Sequence, residues 1–288
     1  MNDQAQKLRN MISRLQNQKE ARTIAVVSGK GGVGKSNFAL NFAISLSQKK
    51  KKVLLFDLDI GMGNIDILLG LTPKKTIVHM FEESLTIQDV IEKGPESLSY
   101  VAAGSGLTEF FNMEKSAFAI FLQQLQNLMF EYDYIIFDMG AGMSTTHLNF
   151  VLAAHECFVI TTTEPTSIMD AYSVIKFICS RRHDLPMHIM VNRATSTRDG
   201  EQAYERLALA VEQFLNKKID LLGILPDDKH VVQAVQRQTP FILYNGRSHV
   251  SQSLLEVVSH YTGGSTHEKT APFGFISRLK AVFTRKVD

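Results

Sequence analysis

Two lysines, one serine and three aspartates supply the chemistry open to this chain. Lys35 and Ser36 fall within the stretch Ser28-Gly29-Lys30-Gly31-Gly32-Val33-Gly34-Lys35-Ser36-Asn37. In the spacing Gly-x-x-x-x-Gly-Lys-Ser, the backbone N–H groups of a glycine-rich turn point inward at an anion. The helix that follows adds the positive end of its dipole. The lysine then reaches the β- and γ-phosphates of a nucleotide, and the serine hydroxyl ligates Mg²⁺. The bland alternative is a merely tight turn. Asp138 ends the apolar run Tyr134–Phe137 and is followed by Met139-Gly140-Ala141-Gly142. A carboxylate so placed orders Mg²⁺, here through a water, while the glycines free a backbone N–H to sense the terminal phosphate. A helix cap is its plain alternative. Asp57 and Asp59 follow a second apolar run and point to opposite sides of an extended chain. One of them can stay structural while the other faces the nucleotide. Phosphoryl transfer needs mainly positioning and charge stabilisation, so these groups suffice.

Strand ends must hold such groups together. The β-branched run Thr23–Val27 precedes the glycine-rich turn, and Phe38, Phe42 and Leu46 recur at helical spacing after it. Further strands are expected at Val53–Asp57, Leu98–Ala102, Tyr134–Asp138, Cys157–Thr162, His188–Asn192 and Leu221–Leu225. Helices separate them, a long one running roughly from Lys115 to Phe130. Strand–helix alternation throughout predicts an α/β fold with one doubly wound, mostly parallel sheet over residues 23–261. Ligands of such sheets sit at the carboxyl ends of the strands.

The ends of the chain read differently. Residues 3–19 pattern as a helix with Leu8, Met11, Ile12 and Leu15 on one stripe, within an N-terminal segment 1–22. Residues 262–272 read as a flexible linker, and 273–288 as an amphipathic helix. There Phe275, Ile276, Leu279, Val282 and Phe283 share a face, and Arg278, Lys280, Arg285 and Lys286 supply positive charge. A helix lying in the headgroup plane of anionic lipid has this pattern, and the linker argues that it is detached. A terminal helix packed on the body is the alternative. Gln48-Lys49-Lys50-Lys51-Lys52 sits at a helix C-terminus, where the dipole favours cations. It reads as a solvated face, with membrane or nucleic-acid contact as the sharper option.

Composition narrows the classes. At 288 residues and 44% hydrophobic content the chain can bury a proper core, and 18 Gly with 7 Pro leaves no room for extended low complexity. Cys157 and Cys179 form no Cys-x-x-Cys pair, suit a reducing compartment and read as core thiols. No histidines cluster at ligand spacing, so protein-bound zinc is not expected. No secretion signal and no run of about 18 apolar residues is present, so a cytosolic location is expected. The net charge of +2 hides basic ends, residues 1–22 and 273–288, around a mildly acidic body. That speaks against a broad nucleic-acid surface on the body.

Lys30 sharpens the reading. Lys30-Gly31-Gly32-Val33-Gly34-Lys35-Ser36 resembles the deviant Walker A motif of the MinD/ParA ATPases, and the likeness spans residues 23 to about 261. The resemblance implies an ATP-sandwich homodimer in which Lys30 contacts the neighbouring subunit's phosphates. It implies catalytic roles for Lys30, Lys35 and Asp59, the last orienting the attacking water. Nucleotide contacts fall to Gly29, Lys30, Gly31, Gly32, Val33, Gly34, Lys35, Ser36 and Asn37, and metal contacts to Ser36 and Asp138. Asn192-Arg193 and Pro226-Asp227 resemble the family's adenine-contacting loops. Asn216-Lys217-Lys218-Ile219-Asp220 is close to a guanine-reading motif, but its aspartate comes one residue late. ATP with Mg²⁺ is therefore expected.

Within the family, Asp59 to Gly70 is more similar to flagellar-number regulators of the FlhG type than to cell-division MinD. Asp3-Gln4-Ala5 with Leu8 and Arg9 resembles the motif by which such regulators stimulate the flagellar signal-recognition-type GTPase FlhF. The resemblance thus implies FlhF as partner through Gln4, Leu8 and Arg9, basal-body or C-ring proteins as further partners, and peripheral attachment to the inner face of the cell membrane with ATP. Met139-Gly140 stands where MinD proteins often have Ser-Pro, and Asn37 where many have Thr. A MinD/ParA-type positioning ATPase for cell division or DNA partitioning remains the alternative. An iron–sulfur scaffold would need paired cysteines.

Overall fold

The computed structural model describes residues 20–59, 63–104, 115–140, 145–263 and 274–284. The chain begins with β1 (Arg22–Ser28), α1 (Lys35–Gln48), β2 (Val53–Leu58) and three short helices, α2 (Ile65–Leu69), α3 (Ile77–Glu82) and α4 (Ile87–Val90). Next come β3 (Glu92–Lys93), β4 (Ser99–Val101), α5 (Lys115–Leu128), β5 (Tyr134–Met139), α6 (Thr145–Ala153) and β6 (Glu156–Thr162). The last part holds α7 (Pro165–Cys179), β7 (Met187–Ala194), α8 (Thr197–Leu215), β8 (Asp220–Pro226) and α9 (Lys229–Gln236). It closes with α10 (Phe241–Tyr244), α11 (His249–Gly263) and α12 (Phe275–Thr284).

The strands form one eight-stranded sheet in the order β3-β4-β2-β5-β1-β6-β7-β8. All pairings are parallel except the short edge strand β3 against β4. Each expected strand is present to within two residues at either end. The two-residue β3 escapes notice because Glu92-Lys93 carries no apolar signal. β2, β5 and β6 are buried along their whole length, as strands covered on both faces must be. Their side chains alternate between two cores. Ala25, Val27, Ile135 and Phe137 face α5 to α8, while Ile24, Val26, Tyr134 and Ile136 face α1 and α9 to α11. From β1 the chain leaves in one direction for β2 and later returns on the other side as β6. The crevice at this reversal is where a doubly wound sheet takes its ligand.

Two expectations at the C-terminus change. The main body continues through Gly263, because α11 runs two residues past the expected end at 261. The helix expected to be detached is docked. In α12 the side chains of Phe275 and Leu279 are fully buried, and Ile276, Val282 and Phe283 pack half-buried on the same core. Phe275 stacks on Phe137 with ring centroids 5.3 Å apart, and Phe283 lies 4.1 Å from Phe118 of α5. Arg278 donates from Nε to the Ala153 carbonyl at 2.8 Å, while Lys280 is exposed. The hydrophobic face that could enter lipid thus finds a groove between α5 and α6 that leaves Phe137 uncovered. The helix expected over residues 3–19, with Gln4, Leu8 and Arg9, lies outside the described residues, as do most of the linker, Arg285 and Lys286. Among the described residues, no helix is long and apolar enough to cross a membrane.

Candidate nucleotide site

Three parallel strands deliver the chemistry to one edge. β1 leads into the glycine-rich turn, and β2 and β5 carry Asp57 and Asp138 one residue before their ends, directly opposite in register. Gly34 precedes α1 at φ +90°, a conformation that favours glycine. A Cβ there would also sit 2.3 Å from Asn192 Nδ2. Asn192 donates from that amide to the Val33 carbonyl at 2.8 Å, tying the end of β7 to the phosphate turn. Lys35, Ser36 and Asn37 then open α1, whose N-terminus makes no side-chain cap bond. Its free N–H groups suit an anion.

Lys35 is 6% exposed and its Nζ pairs with Asp138 Oδ1 at very short range, lying 3.2 Å from Ser36 Oγ. Asp138 is fully buried, and among the described residues its Oδ2 has no hydrogen-bond partner. A buried carboxylate oxygen without a donor is costly unless a cation or ordered water completes it. The set Ser36 hydroxyl, Asp138 carboxylate and a water is therefore fit to hold Mg²⁺, a hard cation that keeps several waters. Such an ion would supply charge neutralisation on the phosphates. Lys35 would exchange Asp138 for phosphate.

Asp57 and Asp59 separate as their alternation requires. Asp57 is buried and accepts N–H bonds from Asp59, Asn64 and Ile65 at 3.0, 2.8 and 3.1 Å. Burial, then the nearby Asp138 carboxylate, push its pKa up to about 7 against those bonds. Asp57 thereby ties Asp59 to the start of α2. Asp59 is half-buried and its pKa is raised by burial, an effect opposed by Lys35. Its carboxylate lies where a Gly140 Cβ would come within 2.8 Å of Oδ1. Asp59 and the backbone after Asp138 thus face the same space beside Lys35.

Opposite this space, a cavity of about 340 Å³ is lined by Gly32, Gly34, Asn37, Asn192, Arg193, Pro226, Asp227, Val231, Val235 and Phe241. Apolar walls with a few polar groups suit a purine. Arg193 adopts φ +58° and its Nε lies 3.9 Å from Asp227 Oδ1, joining the two expected base-contacting loops. The near-miss guanine motif lies elsewhere. Asn216 ends α8 in left-handed conformation, and Lys217 is buried, bonding the His183 carbonyl at 2.6 Å.

Glu164, His147 and the apolar wall of the base cavity escape a reading of residue types. Lys30 forms an ion pair with Glu164 at 3.2 Å, its side chain 46% exposed and that of Glu164 57%. An exposed pair of this kind contributes at most about 1 kcal/mol, so Lys30 is cheap to release. His147 of α6 donates from Nε2 to the Leu58 carbonyl at 2.8 Å, pinning α6 to the residue before Asp59. Val231, Val235 and Phe241 of the cavity come from two helices far along the chain. None carries a motif.

The site belongs to a known class. A model of the ParA family, described as NUBPL iron-transfer P-loop NTPase, matches residues 19–262. The antiactivator FleN of Pseudomonas aeruginosa is 35% identical over 218 residues, covering 75% of this chain and 78% of its own length. The flagellum site-determining protein YlxH of Helicobacter pylori is 30% identical over 257 residues, with 83% of each chain covered. The MinC:MinD cell division protein complex of Aquifex aeolicus contains a chain 26% identical to this one. It superimposes with a TM-score of 0.68 over 86% of this chain and 98% of its own. The chain belongs to the ParA family of P-loop NTPases. It is an ATPase of MinD/ParA type whose cofactors are ATP and Mg²⁺. The iron transfer in the family description has no match in the thiols here. Cys157 and Cys179 are both buried, and burial pushes both pKa values up, away from the thiolate that binds metal.

Proposed function

We propose that this ATPase dimerises around two ATP molecules, associates with the membrane in that state and regulates the number and placement of flagella. In this reading the N-terminal segment 1–22 acts on the GTPase FlhF through Gln4, Leu8 and Arg9. The observation that carries it is Lys30, exposed beside an intact phosphate turn, its ammonium paired among the described residues with the exposed Glu164. A lysine so placed gives its own subunit's site nothing that Lys35 does not already give. Extended across an interface, it adds positive charge to a second subunit's phosphates. Similarity to FleN and YlxH supports the flagellar assignment.

The docked α12 fits a nucleotide-gated membrane helix. Its docking buries Arg278 beside Arg182, and burial, then that neighbour, lower the Arg278 pKa to about 10. Part of the apolar gain is thereby offset, which keeps the helix exchangeable between groove and lipid. One released helix binds weakly, whereas a dimer carries two, and avidity raises binding by roughly 10²–10⁴.

Size-exclusion chromatography with ATP tests the dimer. Asp59→Ala should elute as a stable dimer because water positioning is lost while phosphate contacts survive. Lys30→Ala should bind ATP and stay monomeric. A persistent Asp59→Ala monomer refutes the sandwich. In the source bacterium, deletion of the protein should change the flagellar count and Lys30→Ala should fail to restore it. An unchanged count in the deletion strain refutes the flagellar role.

A further inference from the structure

We propose that Lys49-Lys50-Lys51-Lys52 is an anionic-lipid contact surface, placed by the fold beside both points from which the terminal segments leave the body. All four side chains are exposed. Among the described residues none of them forms an ion pair, and Lys49 donates to Ser259 Oγ at 3.0 Å. A need to close α1 does not explain four consecutive cations, since the dipole effect is confined to the last turn. Lys50, Lys51 and Lys52 already lie beyond the capping residue, Lys49.

The placement is specific. Ser259, which Lys49 touches, lies one turn before Gly263, where α11 ends and the segment leading to α12 begins. Lys52 is bonded to Asp133 at 2.8 Å through both its N–H and its carbonyl. The Asp133 carbonyl accepts from Arg22 N–H at 2.9 Å. Glu20, two residues upstream, lies so close to Gly274 that a Cβ there would meet its carboxylate at 2.8 Å. Both chain ends and the lysine run therefore share the end of the sheet opposite the nucleotide site. When α12 leaves its groove for lipid, its tether starts one turn beyond the Ser259 that Lys49 touches. The body is then held with this end toward the headgroups, within the Debye length over which a basic run is attracted to an anionic leaflet.

The surface fits lipid better than nucleic acid. A nucleic-acid site spreads cations along a groove or helix, whereas the body around this run is net acidic. A short basic run beside an amphipathic helix is the two-part arrangement that makes reversible membrane attachment stable. The proposal rests on the membrane reading above and adds that the globular body itself touches the bilayer.

The test is flotation of the full chain with ATP on phosphatidylcholine vesicles, with and without phosphatidylglycerol. It compares wild type, Lys49→Gln/Lys50→Gln/Lys51→Gln/Lys52→Gln, the corresponding all-arginine variant, and a chain ending at Gly263. A lysine near such a surface contributes about fivefold in binding. The glutamine variant should therefore lose at least about tenfold on anionic vesicles and nothing on neutral ones. It should keep wild-type ATP turnover and dimerisation, and the arginine variant should bind as wild type. Equal binding of wild type and glutamine variant on anionic vesicles overturns the surface while leaving the membrane helix standing. No binding by wild type overturns both readings. Loss of duplex DNA retention by the glutamine variant, with vesicle binding unchanged, reassigns the run to nucleic acid and overturns the proposal.

Discussion

Asp57 and Asp59, separated by a single residue, are held in different ways. Three backbone donors immobilise Asp57 behind the site, whereas Asp59 keeps a half-exposed carboxylate facing Lys35 and Gly140. What positions Asp59 is the missing side chain at Gly140. A methyl group there would sit 2.8 Å from Asp59 Oδ1 and 3.2 Å from His147 Cε1, so the carboxylate would have to move. In the proposed role Asp59 orients the attacking water, and displacing such a group by about 1 Å costs on the order of 10²-fold in rate. Gly140→Ala is therefore expected to lower single-turnover ATP hydrolysis by roughly 10–10² while nucleotide affinity stays within about twofold. Stopped-flow hydrolysis beside a fluorescent-nucleotide titration measures the two separately. An undiminished rate would remove Asp59 from the water-positioning role.

At the scale of elements, α6 joins two places that read as unrelated in the sequence. One end bonds Leu58 through His147, and the body of the helix supplies Phe150 and the Ala153 carbonyl to the docked α12. One helix thus contacts both the residue before Asp59 and the groove that holds α12. Phe118 lines the other wall, and Phe118→Ala removes its ring from Phe283 without touching α12 itself. The half-buried site predicts a loss of about 1–3 kcal/mol from docking. Proteases should then cut the α11–α12 segment faster, and vesicle binding without ATP should rise. Unchanged proteolysis would mean that the groove is not what holds the helix. The strands, the phosphate turn and the aspartates were legible in the sequence because each rests on a local pattern of apolar run, glycine spacing or strand-end carboxylate. The docking of α12 was not, because one amphipathic face fits lipid and a groove equally well. Which it occupies depends on Phe118, Phe137 and Phe150, which only the fold brings together. Glu164 and the apolar wall of the base cavity were hidden for the same reason.

Across the whole molecule, a buried cluster at the opposite end of the sheet from the site binds three strands to the C-terminal part of the body. Glu156 of β6, with no exposed surface, accepts from Arg22 Nε at 2.6 Å and Nη2 at 3.0 Å, and from the Tyr261 hydroxyl of α11 at very short range. His188 Nε2 of β7 lies 3.3 Å from Oε2, the oxygen that accepts from Arg22 Nη2. Burial alone would raise the Glu156 pKa, but His188 and Arg22 overcome it and hold the carboxyl at about 2. An acid whose folded pKa is depressed stabilises the fold above its unfolded pKa and loses that contribution as pH falls through the folded value. Glu156 thus contributes fully above about pH 4.5 and progressively less down to about pH 2. The neighbouring His155 adds in the same direction. Burial, then Arg278 and Arg22, lower its pKa to about 4, so it is neutral when folded and protonates on unfolding below about pH 6.5. Glu156→Gln is accordingly expected to cost about 3 kcal/mol at pH 7 and less than half of that at pH 3. Urea unfolding at the two pH values reads the difference. A cost independent of pH would show that the carboxylate's charge contributes nothing and that only its hydrogen bonds hold this end of the sheet together.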